Sequence, residues 1–474
     1  MEEKMDEKLH IMFLPFLAFG HMIPMGDMAR VFSARGVRAS IVTTPVNAPT
    51  FSWTESESES EIEILTVKFP CAEVGLPEGC ENTESVPSPD MLHPFFKATT
   101  MLQAPLEELL LKHRPHCLIA ASFFPWATQS AAKFKIPRLV FHGTGAFALC
   151  ASECVRLYKP YKNVSSDSEP FPIPHLPGEI KITRMVLPEY IKSDAETDFT
   201  RAMEAIRDSE VASLGVVVNS FYELEEVYAD YYKEVLGRNT WHIGPVSVCM
   251  RKQEKGRRGK AGWMDEGEVL KWLNSKEPNT VVYVCFGSVA NFNETQLQEI
   301  AKGLEASGQH FIWVVRRSDR GWLPEGFETR MKGKGLIMWG WAPQLLILQH
   351  QAVGGFVTHC GWNSTLEAIS AGVPMVTWPV SAEQFYNEKF VTDLLQIGVP
   401  VGAKQWVRVF GDSVTGHAIE KALNRIMTGE EAEAMRNRAH KLAQMATAAV
   451  QQPKGSSYCQ FAALIQHIRS YRMP

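Results

Sequence analysis

The chain has 474 residues, more than one ordinary hydrophobic core organises, so two domains are expected. Its 45% hydrophobic and 21% charged residues describe a soluble globular protein, and a net charge of -5 leaves no broad basic surface, which excludes nucleic acid as the main partner. Its cysteines, odd in number and without C-x-x-C spacing, read as reduced intracellular thiols, not as a disulfide framework or a zinc site.

The acidic, mixed start "MEEKMDEK" precedes an apolar run over 9–19. A signal peptide wants positive charge there, and a membrane span needs about 20 apolar residues, so the run reads as a buried first strand. A cytosolic chain without a membrane span is expected. Further buried strands of a first half follow at "ASIVTT", "EIEILTV", "HCLIAA", "IPRLVFH" and "LGVVVNS". A second half repeats the pattern in "NTVVYVCF", "HFIWVVR", "GLIMWGW", "GGFVTH" and "VPMVTW". Continuous β-branched runs separated by helix-length segments predict parallel sheets covered on both faces, hence two doubly wound α/β domains. The seam between them is "RKQEKGRRGKAG", 251–262, a basic segment with almost no apolar residues that reads as an exposed linker in preference to a nuclear-localisation signal. "SWTESESESE", 52–61, and "NVSSDSEP", 163–170, read as surface loops.

The stretch "FVTHCGWNSTLEAISAGVP", 356–374, packs His359, Trp362, Asn363, Ser364 and Glu367 between a strand-like and a helix-like segment. Parallel strands bind ligands at their carboxyl ends, where helices begin, and free N–H groups at a helix start favour phosphate. Each residue also has an ordinary alternative. Ser364-x-x-Glu367 is a capping-box pattern, Asn363 is a common N-cap, and His359 alone would be a loop histidine.

Taken together, the residues from Trp341 to Gln384, "WAPQLLILQHQAVGGFVTHCGWNSTLEAISAGVPMVTWPVSAEQ", closely resemble the signature box of plant UDP-dependent glycosyltransferases of secondary metabolism. The resemblance continues through "PFLAFGHMIPMGDMARVFSARG", "WHIGPV", "VVYVCFGS" and "LPEGFETR" and so covers most of the chain. It implies a GT-B architecture, two Rossmann-like doubly wound parallel-sheet domains facing across a cleft. Residues 1–250 would bind the acceptor, 251–262 would link, 263–455 would bind the UDP-sugar, and 456–474 would return as a helix to the first domain. The family is generally monomeric, and its partners are a UDP-sugar and a small lipophilic acceptor.

The resemblance also implies roles. Trp341 would stack on uracil, with Ala342 beside it and Gln344 at the ribose or base edge. Ser288, His359, Gly361, Asn363 and Ser364 would hold the diphosphate, and Glu367 the ribose hydroxyls. Trp362, Glu383 and Gln384 would face the sugar, joined by Thr144. Trp362 and Gln384 usually accompany UDP-glucose in this family, with galactose, xylose and glucuronic acid as the alternatives. No D-x-D sequence occurs, and the helix start plus His359 can neutralise the leaving UDP, so no metal and no cofactor beyond the donor substrate is expected.

"AFGHMIPMGDMARVF" places His21 just after the first strand, with Pro24 in the opening turn of a helix whose positive end keeps the imidazole neutral, as a base requires. His21 matches the family's catalytic histidine. Relatives carry an aspartate in a sequence like "ADxFFPWAT" to orient it, whereas this chain reads "LIAASFFPWATQ", with Ala121 in that place. Phe123, Phe124, Trp126 and Phe147 are candidates to line an aromatic acceptor site, with loops 72–105, 143–160 and 180–205; the alternative for each aromatic is core.

These residues lead to an inverting glucosyltransferase acting on a small lipophilic acceptor, most readily a phenolic such as a flavonoid. C-glucosylation of a phenolic and O-glucosylation of a triterpenoid are the variants. A catalytically impaired UDP-sugar binder is the second possibility, because of Ala121. A dinucleotide-dependent oxidoreductase is the third, and its only support, "GTGAF", lacks the third glycine of G-x-G-x-x-G.

Overall fold

The apolar runs become the strands of two parallel sheets. The computed structural model describes residues 8–51, 62–249, 264–288, 290, 292–316, 321–407 and 412–471. The expected linker, 251–262, and the expected loop, 52–61, lie outside the described residues.

In chain order the strands are β1 (His10–Leu14), β2 (Arg38–Thr43), β3 (Ile62–Thr66), β4 (Cys117–Ala121), β5 (Arg138–Phe141), β6 (Phe171–Pro172), β7 (Lys181–Ile182), β8 (Gly215–Val218) and β9 (Thr240–His242). The second half supplies β10 (Val281–Cys285), β11 (His310–Val315), β12 (Gly335–Trp339), β13 (Val353–Thr358), β14 (Met375–Thr377) and β15 (Gly398–Pro400). The first sheet runs β3-β2-β1-β4-β5-β8-β9, the second β12-β11-β10-β13-β14-β15, and β6 pairs β7 as an antiparallel hairpin. Central strands such as HIMFL in β1 and VVYVC in β10 are buried throughout, because helices cover both faces. These are the two doubly wound sheets of the expected GT-B architecture.

Strand order reverses between β1 and β4 in the first sheet and between β10 and β13 in the second. Crevices open at the carboxyl ends of strands at such reversals. The register places Ala121 opposite Phe141 and Cys285 opposite Thr358, so the strand ends that carry the expected site residues finish side by side.

Several contacts join the halves at this point, three of them as follows. The Trp362 indole donates to the Asn219 carbonyl at 2.8 Å, and Asn363 Nδ2 donates to the Gly20 carbonyl at 2.8 Å. Phe147 stacks on Phe390 with ring centroids 5.3 Å apart. The second contact is prepared in the sequence. The first helix is Phe19–Ser33, and Pro24 inside it has no N–H to give the carbonyl four residues earlier, which is that of Gly20. Pro24 therefore does not sit in the opening turn as expected; the helix starts five residues before it and takes His21 into its first turn.

The last helix, Ser456–Ser470, packs on the first half. Gln460 accepts from the His242 backbone N–H at 2.6 Å, Ser457 donates to the Gly244 carbonyl at 2.5 Å, and Phe461 meets Phe32 edge-on at 4.6 Å. Among the described residues, no helix is long and apolar enough to cross a membrane.

Candidate active site

One cleft of about 1680 Å³ lies between the sheets, lined from both halves. On the second half, β13 ends at Thr358 and the chain turns through Cys360 at φ +64°, a left-handed conformation that non-glycine residues seldom adopt. The turn delivers Gly361 as the N-cap of helix Trp362–Ala371, and no side chain caps that helix. Both ordinary alternatives are thereby excluded: Asn363 is not the N-cap, and Ser364 with Glu367 forms no capping box. Gly361, Trp362, Asn363 and Ser364 all line the cleft at the helix start, where the Trp362 N–H is taken by Glu383.

The His359 ring lies in a slot between two glycines. A methyl group on Gly287 or Gly361 would fall 2.4 or 2.5 Å from it. Burial, aided by the charge of Arg316, pushes its pKa down to about 4, so the ring is neutral, and its Nδ1 is buried without a hydrogen-bond partner. Arg316, at the end of β11, lines the same wall and was not singled out from sequence. The signal was available, since "HFIWVVR" ends a parallel strand whose carboxyl end must face the crevice. Ser288 also lines the wall and hydrogen-bonds to Glu84, whose carboxyl pKa is raised by burial although Ser288 and Arg316 draw it back.

Towards the nucleoside end, Gln344 Nε2 donates to Glu367 Oε2 at 2.8 Å and to Ser364 Oγ at 3.1 Å. Trp341 stands over Phe19, centroids 5.0 Å apart, with Ala342 buried beside it. Towards the sugar end, Gln384 Oε1 accepts from the backbone N–H groups of Val380 (2.8 Å) and Ser381 (2.9 Å). Only its Nε2 is then left for a ligand. Glu383 accepts from Asn387 at 3.2 Å and from the Trp362 backbone N–H, and burial raises its pKa.

The first half supplies the other wall. His21 is held edge-on by Phe16, Phe123 and Phe141, at 5.7, 5.6 and 5.9 Å. Burial first, and the neighbouring His142 second, push its pKa down to about 3, and its Nδ1 is buried without a partner. Ala121 is fully buried, presents only a methyl group, and its carbonyl accepts from Arg138 Nη2 at 2.9 Å. Thr144 lines the cleft with a buried hydroxyl that has no partner.

Of the candidate acceptor aromatics, Phe123 lines the cleft, with Phe16 at 4.7 Å. Leu92, Phe96, Leu149, Tyr190 and Phe199 join it from the three segments expected as loops, which contribute them from helices instead: Leu92–Thr100, Ala146–Tyr158, Glu189–Lys192 and Asp198–Val211. Three expectations are corrected. Phe124 is wholly buried beneath Phe16 and Trp126, Trp126 packs on that core and does not line the cleft, and Phe147 is core, wedged between Tyr228 and Phe390. Phe147 shares the inner stripe of helix Ala146–Tyr158 with Cys150, Ala151 and Cys154, at helical spacing.

Gly145 sets the Trp362 ring. A methyl there would lie 2.5 Å from Glu225 Oε1 and 2.7 Å from two indole carbons. Gly145→Ala is expected to cost about 1–3 kcal/mol by overpacking and to raise KM for a bound sugar nucleotide through the displaced indole. Urea unfolding beside steady-state kinetics checks both, and unchanged values of either would contradict the slot.

Four histidines, His10 and His242 buried and His21 and His359 half-buried, also set an acid limit. Burial is the leading cause that lowers His10, His242 and His359 to about 4 and His21 to about 3. The unfolded chain takes up protons at these rings below about pH 6.5 while the folded chain does not, so stability is expected to be full above that pH and to fall as pH drops towards 4. Denaturant midpoints at pH 7.5, 6 and 5 should decline in that order, and His242→Gln, outside the cleft, should flatten the decline.

Comparison with known proteins adds three findings. The family model for UDP-glucoronosyl and UDP-glucosyl transferase matches residues 203–446. The chain is 55% identical to a scopoletin glucosyltransferase of Nicotiana tabacum, over 98% of each chain, and 54% identical to the UDP-glucose flavonoid 3-O-glucosyltransferase 7 of Fragaria ananassa, over 98% of this chain and 97% of that one. Its fold superposes with TM-score 0.91, at 40% identity, on Glycyrrhiza uralensis UGT73P12 complexed with glycyrrhetinic acid 3-O-monoglucuronide, covering 98% of this chain and 96% of that chain.

Proposed function

The chain belongs to the UDP-glucoronosyl and UDP-glucosyl transferase family, and from that premise we propose that it transfers glucose from UDP-glucose to the hydroxyl of a small phenolic acceptor, with inversion and without a metal ion. The observation that carries this reading is the convergence on a single cleft of His21 and Thr144 from one half with His359, Asn363 and the start of helix Trp362–Ala371 from the other. A neutral imidazole facing a helix start is what an acceptor hydroxyl and a departing diphosphate require.

Uracil would lie on Trp341, and the ribose on Glu367, which Gln344 already orients. The diphosphate would meet Ser288, His359 and the N–H groups of Gly361, Asn363 and Ser364, with Arg316 as the counter-charge. Those donors can take up the charge that leaves with UDP. Trp362, Glu383, Gln384 and Thr144 would hold the glucose. Residues 1–250 then bind the acceptor and residues 263–455 the donor, with 251–262 between them and the helix of 456–474 docked on the former. Scopoletin and flavonoids, in the names of the two relatives, are flat phenolics, and the Phe16, Phe96 and Phe123 wall suits such an acceptor. His21 offers the hydroxyl a neutral imidazole.

One observation favours a second reading. Where the resemblance expects an orienting aspartate, Ala121 presents only a methyl group, and a chain limited by that would bind UDP-glucose but turn over slowly. Product formation from UDP-glucose with flavonoids, simple phenols and triterpenols, with and without EDTA, separates the two. Glucosides of phenols at undiminished rate in EDTA are expected, and acid-stable products would report C-glucosylation. UDP binding without product would favour the second reading, and NAD binding without UDP binding would overturn both.

A further inference from the structure

The indole of Trp362, assigned above to the glucose, is gripped from the first half of the chain by one short segment. β8 ends at Val218, and the carbonyl of Asn219, the next residue, takes the indole N–H at 2.8 Å. Further along the same segment, Glu225 reaches the benzo edge of the ring. A methyl group placed on Gly145 would fall 2.5 Å from Glu225 Oε1 and 2.7 Å from the indole Cζ2 and Cη2, so the carboxylate oxygen and the ring edge crowd one glycine. An aromatic ring carries its partial positive charge at the edge, which a carboxylate oxygen favours. Glu225 is 1% exposed, whereas Glu223 and Glu226 of the same helix, Tyr222–Asp230, face solvent. Its backbone leaves the helical conformation, at φ -131° and ψ 25°. Inside the molecule its Oε1 accepts from the Phe147 backbone N–H at 2.8 Å. Helix Ala146–Tyr158 starts there with Gly145 as N-cap and no side-chain cap of its own, so Glu225 caps it from a distant part of the chain.

Two groups assigned to the glucose thus depend on one carboxyl group. Thr144 immediately precedes Gly145 in the turn that starts the helix, and Trp362 rests against Gly145 from the other half. Burial raises the Glu225 pKa, and its hydrogen bonds to the Phe147 and Ala146 N–H groups draw it back; either protonation state leaves an oxygen that accepts. Resting on the transferase reading above, we propose that Glu225 is a positioning residue for the donor sugar: by capping helix Ala146–Tyr158 it fixes Thr144 and the Trp362 ring where they meet the glucose. Glu225 itself does not line the cleft. The residues assigned to UDP, Trp341, Gln344, His359 and Glu367, all come from the second half, whereas Glu225 acts on the turn of the first half and on the indole ring.

The test uses the whole chain with UDP-glucose and a simple phenol, comparing Glu225→Gln, Glu225→Asp and Glu225→Ala with the parent. Titration calorimetry gives the affinities for UDP and for UDP-glucose, steady-state kinetics give kcat and KM, and thermal melting reports the fold. Glu225→Gln keeps an oxygen that accepts from the Phe147 N–H and should stay within about threefold of the parent. Glu225→Ala removes that oxygen, and kcat/KM for UDP-glucose should fall about 10-fold to 10²-fold, the cost of letting a positioned group drift by about an ångström. Its UDP affinity should stay within about threefold, so the affinity for UDP-glucose relative to UDP should fall. Glu225→Asp, one methylene short of the N–H, should move the same way by about fivefold to 10-fold, and it carries the test where Glu225→Ala does not fold. A merely structural role would lower the melting temperature and leave that ratio where it was. A folded Glu225→Ala, or failing that Glu225→Asp, that keeps kcat/KM for UDP-glucose within about threefold would overturn the proposal. So would equal losses for UDP and UDP-glucose, or a Glu225→Gln as impaired as Glu225→Ala. A parent chain that binds UDP-glucose but forms no glucoside would sink the transferase reading alone, because the affinity ratio still reports the hold of Glu225 on the sugar.

Discussion

His359→Ala is expected to lower kcat/KM for UDP-glucose by about 10²–10³, the usual cost of removing one preorganised donor from a developing anion. The expectation follows from how the ring is held. It cannot shift, because Gly287 and Gly361 clasp it at distances that leave no room even for a methyl group. It is neutral, with a pKa pushed down to about 4, so it presents one N–H and one lone pair. It stands immediately before the turn that starts helix Trp362–Ala371, so its donor and the helix N–H groups can act on one set of oxygens. A neutral donor in a buried slot costs little to keep there and gains strength only when charge arrives, which happens as UDP leaves. The loss should therefore fall more on kcat than on UDP affinity. Gly361→Ala should act in the same direction by pushing the ring out of line. Calorimetry with UDP beside steady-state kinetics checks the split, and a kcat/KM within threefold of the parent would remove His359 from the reading.

What the sequence revealed and what it hid divide along a physical line. Central strands read correctly because burial on both faces leaves an unbroken apolar run, as in β1, β4, β10 and β13. The short strands β9 and β15 and the hairpin β6–β7 have two or three residues each, too few to carry any period. The polar turn after β13 was legible because a chain that keeps His359, Asn363 and Ser364 between two apolar segments has few other uses for them. Asn363 was only half legible. Its amide is donated to Gly20, far away in sequence, and Pro24 makes that carbonyl available. Phe124 and Phe147 were misplaced because a phenylalanine beside a strand end reads the same whether it faces a cleft or the core, and only packing decides. Phe147 and Glu225, 78 residues apart, are the extreme case. Nothing in the sequence marks them as partners, and only the packing of helix Tyr222–Asp230 on helix Ala146–Tyr158 makes them a pair.

Ala121→Asp is the second substitution with a large expected effect, and its size should depend on the acceptor. At the end of β4 a carboxylate would face a pocket where His21 Nδ1 is buried without a partner and where Arg138 already lends its guanidinium to the Ala121 carbonyl. Paired with such a carboxylate, His21 should rise from its present pKa of about 3 towards the working range of a base. In a serine-protease triad the orienting carboxylate is worth about 10⁴ in turnover, part of it through the tautomer it enforces, and a phenol, being the stronger acid, needs less help than an alkanol. Ala121→Asp should therefore give phenols little, within about threefold, and alkanols about 10-fold to 10²-fold. The cost is a buried charge, so a lower melting temperature is expected. A comparison of parent and variant on one phenol and one matched alkanol reads the difference directly. A gain on phenols as large as on alkanols would mean that Ala121 limits the parent enzyme after all.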